Sequence, residues 1–328
     1  MLCALALLGS ACKKKADASG GQNQPAQLRI AVIPKGTTHE YWKAAHAGAV
    51  KAGREMNVGV IWKGPLKEDD LKSQIDLVQS FTAQGVSGIV LAPLNDTALV
   101  APVKAAADAQ IPVVIFDSDL KDQSYVSFVA TDNHAAGELA GERMGKLLNG
   151  KGNVLVLRYL EGSASTTNRE EGFLSAIRKF PGIKVVSDNR FGGATTESAH
   201  AASENLLLAQ NAAKGGVSGI FTPNESTTFG MLLALQKADL AGKVRFIGFD
   251  SSEKLVTAVG AGQLDALVLQ DPLKMGYFAV KMLAAHLRKE PVPERIDTGA
   301  TLLDKDNYQS PAVAELVKPD LAKWLDNP

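Results

Sequence analysis

Carboxylate, amide and cationic side chains recur directly after short apolar runs of the sequence. Asp117 follows VVIF, Asp250 follows RFIGF and Gln270 follows ALVL. Such groups offer both hydrogen-bond acceptors and donors, as a site for a small polar molecule requires. Any single one could instead be a turn or helix-cap residue, because loops after strands are polar in most proteins. The full set of positions is 35–39, 95–96, 117–119, 132–133, 158, 189–190, 224–225, 250–252 and 270–271.

Two aromatic residues, Tyr41 and Trp42, are adjacent in a chain that has 11 Phe, 5 Tyr and 3 Trp. They come soon after the first apolar run, LRIAVIP. Aromatic rings provide flat apolar faces for the C–H groups of a ligand. The alternative interpretation is that both rings pack in the core at the start of a helix.

Two basic residues stand between that apolar run and the aromatic pair. Lys35 follows Ile33 and Pro34, and it could pair with Asp117 or Asp119 and so neutralise the site, or pair with an acidic ligand. His39 has only His46 as a nearby histidine, so we expect a polar or capping role for it rather than metal binding.

Short runs rich in valine and isoleucine recur along the chain. Near-continuous hydrophobicity of this kind is typical of strands buried on both faces of a parallel sheet. The runs are 28–34, 58–62, 88–93, 112–117, 126–131, 153–157, 183–187, 219–223, 245–250 and 266–270.

Segments with helical periodicity lie between most of these runs. They are 41–56, 70–84, 97–109, 135–148, 167–180, 196–210, 227–238, 253–261 and 274–288. Alternating strands and helices predict an α/β doubly wound fold, and the series restarts at Asn153 after a glycine-rich joint. We therefore predict two Rossmann-like lobes with parallel sheets, with ligands bound at the carboxyl ends of the strands.

Composition is that of an ordinary soluble protein. The chain has 328 residues, 45% of them apolar and 21% charged, with 35 Lys+Arg balancing 35 Asp+Glu. At about 150 residues per domain, this length predicts two domains. The zero net charge disfavours a nucleic acid or an anionic membrane surface as the partner and suits a small neutral ligand.

The N-terminal residues are typical of an export signal. Residues 1–12, MLCALALLGSAC, are similar to the end of a bacterial lipoprotein signal with its lipobox, although Gly9 stands where leucine is usual and no basic segment precedes the apolar run. This interpretation makes Cys12 the lipidated residue and residues 13–27 a flexible tether. It predicts a lipoprotein in the periplasm or at the cell surface, which contacts the membrane only through its lipid.

Six segments, in order and at plausible spacing, carry a resemblance to a known family. They are IAVIPKGTTHEYW, PLNDTALVAPVKAAADAQIPVVIFDSD, TTNREEGFLSAI, IFTPNESTTFGMLLALQ, FIGFDSS and DALVLQDPLKMGYFAV. From Leu28 to about Leu303 the chain resembles the ribose-binding-protein-like class of periplasmic sugar-binding proteins, the type I solute receptors of ABC importers. Their fold is shared with the effector domain of LacI-type repressors.

The resemblance implies which side chains face a cleft between the lobes. They are Lys35, His39, Tyr41, Trp42, Asp117 and Ser118 from the first lobe, and Thr167, Asn168, Arg169, Phe191, Asn224, Asp250 and Gln270 from the second. A sugar presents hydroxyls around C–H faces, so its site needs bidentate polar partners and aromatic plates. Asp117 and Asp250 could each accept from two hydroxyls, and Arg169 could donate two hydrogen bonds.

The resemblance also implies where the lobes begin and end. Residues 28–131 and 272–299 would form the N-terminal lobe, and residues 132–271 and 300–328 the C-terminal lobe. A hinge of three segments would join them near 131–133, 270–272 and 298–301.

The function that the resemblance implies is capture of a monosaccharide by hinge closure and its delivery to ABC permease subunits. It implies a monomer without cofactor, metal or nucleic acid. Three alternatives stay open: a sugar receptor for chemotaxis or signalling, a receptor for the furanose autoinducer, and a receptor for an acidic or phosphorylated sugar. The Ile-Pro-Lys opening and the aspartate-rich strand end at 117–119 also occur in receptors for rhamnose-like sugars and for that autoinducer.

Enzymes and repressors are disfavoured. No GxSxG, HExxH or early GxGxxG motif is present, and the segment GKLLNGK at 145–151 is followed by Gly152 where a phosphate loop needs Ser or Thr. Asp117 and Asp250 could form the acid/base pair of a glycosidase, but binding of hydroxyls explains them equally well. A repressor would carry a helix-turn-helix before the first strand, whereas residues 1–27 have lipobox and tether character.

Overall fold

The structure, a computed structural model, describes residues 27–326. The predicted signal at 1–12, its Cys12, and all but the last residue of the tether at 13–27 lie outside the described residues. Among residues 27–326, no helix is both long and apolar enough to cross a membrane.

Strands and helices alternate along the described chain. The strands are β1 (Arg29–Ile33), β2 (Gly59–Trp62), β3 (Gly88–Leu91), β4 (Val113–Phe116), β5 (Ser127–Ala130), β6 (Lys151–Arg158), β7 (Gly182–Phe191), β8 (Gly219–Phe221), β9 (Arg245–Phe249), β10 (Ala266–Leu269), β11 (Arg295–Asp297) and β12 (Thr301–Asp304). The helices are α1 (Glu40–Glu55), α2 (Leu71–Ala83), α3 (Val100–Asp108), α4 (Asn133–Leu147), α5 (Ala164–Ile177), α6 (Thr196–Ala209), α7 (Glu225–Lys237), α8 (Glu253–Gly260), α9 (Pro272–Leu287), α10 (Pro311–Val317) and α11 (Ala322–Leu325).

The strands form two six-stranded sheets, one in each lobe. The first sheet has the order β11-β5-β4-β3-β1-β2 and is parallel throughout. The second has the order β12-β10-β9-β8-β6-β7, and within it β12 runs antiparallel to β10. β12 enters from the other lobe rather than through a βαβ crossover, so no connection requires it to be parallel. The prediction of two α/β lobes with parallel sheets is confirmed, with this edge strand as the exception.

Helices cover both faces of each sheet. Every residue of β3, β4, β8 and β10 is buried, and each sheet has an apolar core on either side. This two-sided burial is the reason that the strands appear in the sequence as continuous apolar runs rather than alternating ones.

The chain crosses between the lobes from β5 to α4, from β10 to α9 and from β11 to β12. α4 packs on α5 and the second sheet, whereas α9 packs on α1 and the first sheet. Two of the crossing segments are hydrogen-bonded side by side: the Thr131 hydroxyl donates to the Gly299 carbonyl at 3.1 Å, and the Asp132 N–H to Asp297 Oδ1 at 3.0 Å. These connections lie where the resemblance implied hinge segments.

The C-terminal tail does not stay with one lobe, which corrects the assignment of all of 300–328 to the C-terminal lobe. α10 packs on the second lobe, where Val313 is buried. The chain then returns, because α11 lies against α1, and Arg54 Nη2 donates to the Trp324 carbonyl oxygen at 3.0 Å. The Lys51 ammonium also lies 5.8 Å from the centre of the Trp324 ring. Contacts between cations of α1 and Trp324 thus hold α11 against the first lobe.

Candidate functional site

A cavity lies between the lobes, at the carboxyl ends of their strands, and its space of about 330 Å³ includes volume that is open to solvent. Of the predicted ligand-binding residues, those that line it are Lys35, His39, Tyr41, Trp42, Asp117, Arg169, Asn224, Asp250 and Gln270. The other lining residues are Glu68, Tyr159, Ser165, Thr166 and Glu225. The fold therefore gathers most of the predicted set around one space, as the rule for parallel sheets requires.

Two aspartates occupy equivalent places in the two lobes. Asp117 directly follows β4 and Asp250 directly follows β9, and both have positive φ angles, 64° and 66°. Each donates its backbone N–H to the neighbouring strand end, Asp117 to the Val129 carbonyl at 3.0 Å and Asp250 to the Val268 carbonyl at 2.9 Å. A left-handed backbone is unfavourable for residues other than glycine, and such strain concentrates where a side chain must be aimed at a site.

The first lobe contributes an aromatic wall. The Tyr41 and Trp42 rings lie 4.9 Å apart at 88°, edge to face, at the start of α1. The Tyr41 hydroxyl donates to Asp117 Oδ1 at 2.7 Å, and Trp42 Nε1 donates to Glu68 Oε1 at 2.7 Å. Both rings are buried, pack in the core of the first lobe and also line the cavity. Core packing is therefore correct for this pair, and contact with a ligand stays a prediction.

Lys35 is paired within the protein. Its ammonium lies 3.1 Å from Asp117 Oδ2 and donates to Ser163 Oγ at 3.2 Å and Ser165 Oγ at 3.0 Å. Of the two partners considered from the sequence, Asp117 is the one that the structure selects. Asp119 instead accepts from the Tyr125 hydroxyl.

Arg169 is the principal donor of the second lobe. It is 2% exposed, its Nε donates to Asn133 Oδ1 at 2.7 Å, and its Nη1 donates to the Pro223 carbonyl at 2.9 Å. The guanidinium stacks on the Phe249 ring, 4.2 Å from its centre. Nη2 is buried and has no hydrogen-bond partner within residues 27–326. The side chain is thus held by two hydrogen bonds and a ring contact, and within the described residues one of its donor atoms is left without a partner.

Asp250, Gln270 and Glu225 form the acceptor side of the same lobe. Asp250 Oδ1 accepts from Gln270 Nε2 at 2.7 Å, and its Oδ2 accepts from the Glu225 backbone N–H at 3.0 Å. Within the described residues, Gln270 Oε1 and Glu225 Oε2 are buried without a hydrogen-bond partner. Asp250 therefore holds the Gln270 side chain and the Glu225 backbone, and within the described residues each of these two residues keeps one buried acceptor without a partner.

The remaining predicted residues have other roles or positions. Asn224 lines the cavity, but its side chain caps α7, with Oδ1 accepting from the Thr227 hydroxyl at 2.6 Å. Ser118 is fully buried, and its Oγ accepts from the Ser165 backbone N–H at 3.1 Å. Phe191 ends the edge strand β7, is 46% exposed and does not line the cavity.

Thr167 and Asn168 do not line the cavity either. The helical periodicity of the sequence predicts a helix from 167, whereas α5 begins at Ala164. The earlier start brings Ser165 and Thr166 to the cavity in the first turn, and successive helical residues turn by about 100° away from it.

The cavity also contains residues that the sequence did not single out. Glu68 lies in the polar segment KEDD between β2 and α2, which has no periodicity that distinguishes one acid from the next. Tyr159 directly follows Arg158, which was among the strand-end positions. Glu225 also belongs to the strand-end positions, and its place beside Asn224 could have identified it as a cavity residue.

Residues 30–291 match the model of a protein family whose description is "Periplasmic binding protein domain". The chain belongs to this family. The galactofuranose-binding protein YtfQ of Escherichia coli (strain K12) is 31% identical to it over 261 residues, which cover 78% of this chain and 81% of that protein. The D-ribose/D-allose-binding protein of Pseudomonas aeruginosa is 29% identical over 85% of this chain and 89% of that protein.

Solved structures resemble this periplasmic binding protein over nearly their full length. A carbohydrate transporter solute binding protein from Agrobacterium radiobacter, in complex with D-arabinose, has a TM-score of 0.85 and 31% identity and covers 90% of this chain and 100% of its own. An ABC transporter solute binding protein from Agrobacterium vitis with bound D-fucose has a TM-score of 0.84 and 34% identity and covers 88% and 100%. The predicted family is confirmed, and so is the prediction that the protein is a solute-binding protein and not an enzyme.

Charges in the cavity of this binding protein are closely paired. Burial alone would lower the pKa of His39, but the hydrogen bond and charge of Glu68, 2.7 Å from its Nδ1, outweigh burial and raise the pKa to about 9. Burial would raise the pKa of Glu68, yet its bond to His39 lowers it to about 2. Burial raises the pKa of Glu225 to about 7 and also raises the pKa of Asp250.

These shifts predict that the binding protein loses stability as pH rises from 6 to 9. His39, whose pKa is raised from 6.5 to about 9, contributes stability that is complete below pH 6.5 and lost as pH rises through 9. Glu225, with a pKa raised from 4.5 to about 7, acts in the same direction at lower pH. We expect the unfolding free energy to fall by up to about 3 kcal/mol, most of it from His39.

Thermal unfolding followed by circular dichroism at pH 6, 7, 8 and 9 measures this loss. The His39→Gln variant should show a flatter profile above pH 6.5, because it removes the group that titrates there. A melting temperature that rises with pH in the native protein would contradict the His39–Glu68 assignment.

Proposed function

We propose that this binding protein closes its two lobes on one neutral monosaccharide and delivers it to an ABC importer. Cys12 would anchor the mature protein to the membrane through a lipid, which the lipobox character of residues 1–12 supports. The relatives support import rather than another use of the bound sugar, since several of them are named import binding proteins, for ribose or for D-apiose.

The observation that carries the proposal is a cluster of free hydrogen-bonding atoms. Among residues 27–326, five buried side-chain polar atoms lack a partner, and three of them, Arg169 Nη2, Glu225 Oε2 and Gln270 Oε1, belong to cavity-lining residues. Leaving a buried polar atom unpaired costs about 1–3 kcal/mol, so the cluster predicts a ligand that supplies the partners. One donor and two acceptors, on residues that line the same cavity as Trp42, suit a compact molecule with several hydroxyls and C–H faces.

The charges favour a neutral ligand over an acidic one. Lys35 is neutralised by Asp117, and His39 by Glu68. Among the lining residues, Arg169 is balanced by the nearby charge of Asp250. No surplus positive charge is therefore available at the cavity for a carboxylate or phosphate group.

Binding and closure are coupled because the site is divided between the lobes. The free donor and acceptors belong to the second lobe, whereas Tyr41 and Trp42 belong to the first. A sugar contacts both sets only when the lobes are closed, so its differential affinity shifts the population to the closed form. A permease that recognises the closed form then receives loaded protein.

A thermal-shift panel tests the proposed ligand class. We expect at least one of D-ribose, D-arabinose, D-galactose, D-fucose and D-allose to raise the melting temperature by about 5 °C, since a ligand at about 100 times its Kd stabilises by about 3 kcal/mol. D-galacturonate and ribose 5-phosphate serve as charged controls. A flat response to the neutral sugars together with a shift from a charged one would reject the neutral-sugar proposal.

A further inference from the structure

The ammonium of Lys35 has no hydrogen left for a ligand. A lysine ammonium has three donors, and here they meet three oxygens: Asp117 Oδ2, Ser163 Oγ and Ser165 Oγ. Asp117 is in the first lobe with Lys35, but both serines are in the second lobe. All four residues are at most 4% exposed. Lys35 thus joins the lobes directly.

Glu68 makes a second direct connection. Its Oε1 accepts from Trp42 Nε1 and lies against His39 Nδ1, both in the first lobe. Its Oε2 accepts from the Tyr159 hydroxyl at 2.7 Å, and Tyr159 is in the second lobe and 1% exposed. Both oxygens of this carboxylate are therefore satisfied by protein groups.

The second-lobe partners all come from residues 159–165, which join β6 to α5 and include the start of α5, and which are called the β6–α5 loop here. Besides Tyr159, Ser163 and Ser165, its backbone is bound twice: the Ser165 N–H donates to Ser118 Oγ at 3.1 Å, and the Gly162 carbonyl accepts from the Asp96 N–H at 2.9 Å. One loop of the second lobe is held by four separate segments of the first. None of these bonds contains a ligand atom.

We propose that Lys35 and Glu68 are positioning residues that hold the lobes together through the β6–α5 loop without help from the ligand. Their contacts with Tyr159, Ser163 and Ser165 are called the latch here. The latch stabilises the closed form of the ligand-free protein. It therefore lowers the free-energy cost of closure that is subtracted from the binding free energy of the sugar. This inference rests on the proposed closure around a sugar, but its first test needs no sugar.

The assignment separates two classes of residue at the cavity. Arg169, Glu225 and Gln270 keep free polar atoms and form hydrogen bonds with the ligand. The polar atoms of Lys35 and Glu68 are instead all bound to protein groups. Loss of a latch contact should therefore weaken every sugar by the same factor. Loss of a group that hydrogen-bonds the ligand should lower the affinity for different sugars by different factors.

Two mild changes remove the contacts between the lobes and leave each lobe intact. Tyr159→Phe deletes only the hydroxyl that binds Glu68, and the double variant Ser163→Ala, Ser165→Ala deletes both serine acceptors of Lys35 while keeping its pair with Asp117. The matched controls are Tyr125→Phe and Ser203→Ala. Tyr125 donates to Asp119 within the first lobe, and Ser203 donates to the Ala199 carbonyl within α6.

Small-angle X-ray scattering of the ligand-free proteins measures closure. We expect a larger radius of gyration for the triple variant, with Tyr159, Ser163 and Ser165 all changed, than for the native protein and both controls. Circular dichroism melting identifies any variant that has unfolded, and the two separate variants then replace the triple one. An unchanged radius of gyration in folded latch variants would overturn the proposal.

Titration with the five neutral sugars supplies the second readout. The latch variants should keep the native order of sugar preference and bind each sugar about tenfold more weakly. A changed order would show that these groups touch the ligand and would overturn the positioning role. If no sugar binds the native protein, the proposed function fails, while the scattering result still decides the latch.

Discussion

Replacing Asp250 with alanine should weaken sugar binding by at least about 100-fold, equivalent to about 3 kcal/mol. The carboxylate holds Gln270 through its side chain and Glu225 through its backbone N–H, so its loss releases both free acceptors of the cavity together with its own oxygens. Isothermal titration with the sugar that gives the largest thermal shift measures the change in affinity.

The same substitution should leave the protein folded. Burial raises the pKa of Asp250, which means that the folded state holds this charge at a cost, and removing it relieves that cost. Asp265→Ala is the matched control, because Asp265 also accepts from a backbone N–H of the second lobe, that of Phe246, but lies outside the cavity. Affinity within tenfold of native for Asp250→Ala would remove this residue from the site.

Replacing Gly137 with valine should destabilise the second lobe by at least about 3 kcal/mol and lower the melting temperature by roughly 10 °C. A Cβ atom at Gly137 would lie 2.1 Å from the Arg169 carbonyl oxygen, and one at Gly172 would lie 2.1 Å from the His134 carbonyl oxygen. Helices α4 and α5 therefore touch backbone to backbone. Valine must push them apart and with them the backbone that carries the guanidinium.

Differential scanning calorimetry measures the loss of stability, and titration measures the expected loss of sugar affinity. Ala135→Val on the same helix is the control, because Ala135 is exposed and its substitution adds the same β-branched side chain without a clash. A native melting temperature for Gly137→Val would show that the close approach of α4 and α5 is not needed to place Arg169.

Much of the fold could be predicted because buried parallel strands are recognisable in the sequence as apolar runs. β11 and β12 could not, since Arg295 and Asp297 are exposed and Leu303 is the one fully buried residue of β12. The return of α11 to the first lobe was also missed. It depends on cations of α1 that meet Trp324 only after folding.

The candidate site was predictable where a motif fixes a side chain to a strand end, as for Asp117, Asp250 and Gln270. It was not predictable where position depends on a helix start: serines and threonines stand at 163, 165, 166 and 167, around the start of α5, and any of them can cap a helix. Lys35 shows a third limit. A lysine at this position is equally compatible with a ligand contact and with an ion pair inside the protein. The relative position of the two lobes determines which of these it forms.

The proposed function requires that a single neutral sugar fills the cavity between the lobes and completes its hydrogen bonds. A crystal structure with the most stabilising sugar of the panel would show whether it does. We expect one monosaccharide ring against Trp42, with hydroxyl oxygens within hydrogen-bond distance of Arg169 Nη2, Glu225 Oε2 and Gln270 Oε1. A sugar bound elsewhere, or one in the cavity that leaves these three atoms unpaired, would overturn the proposed function.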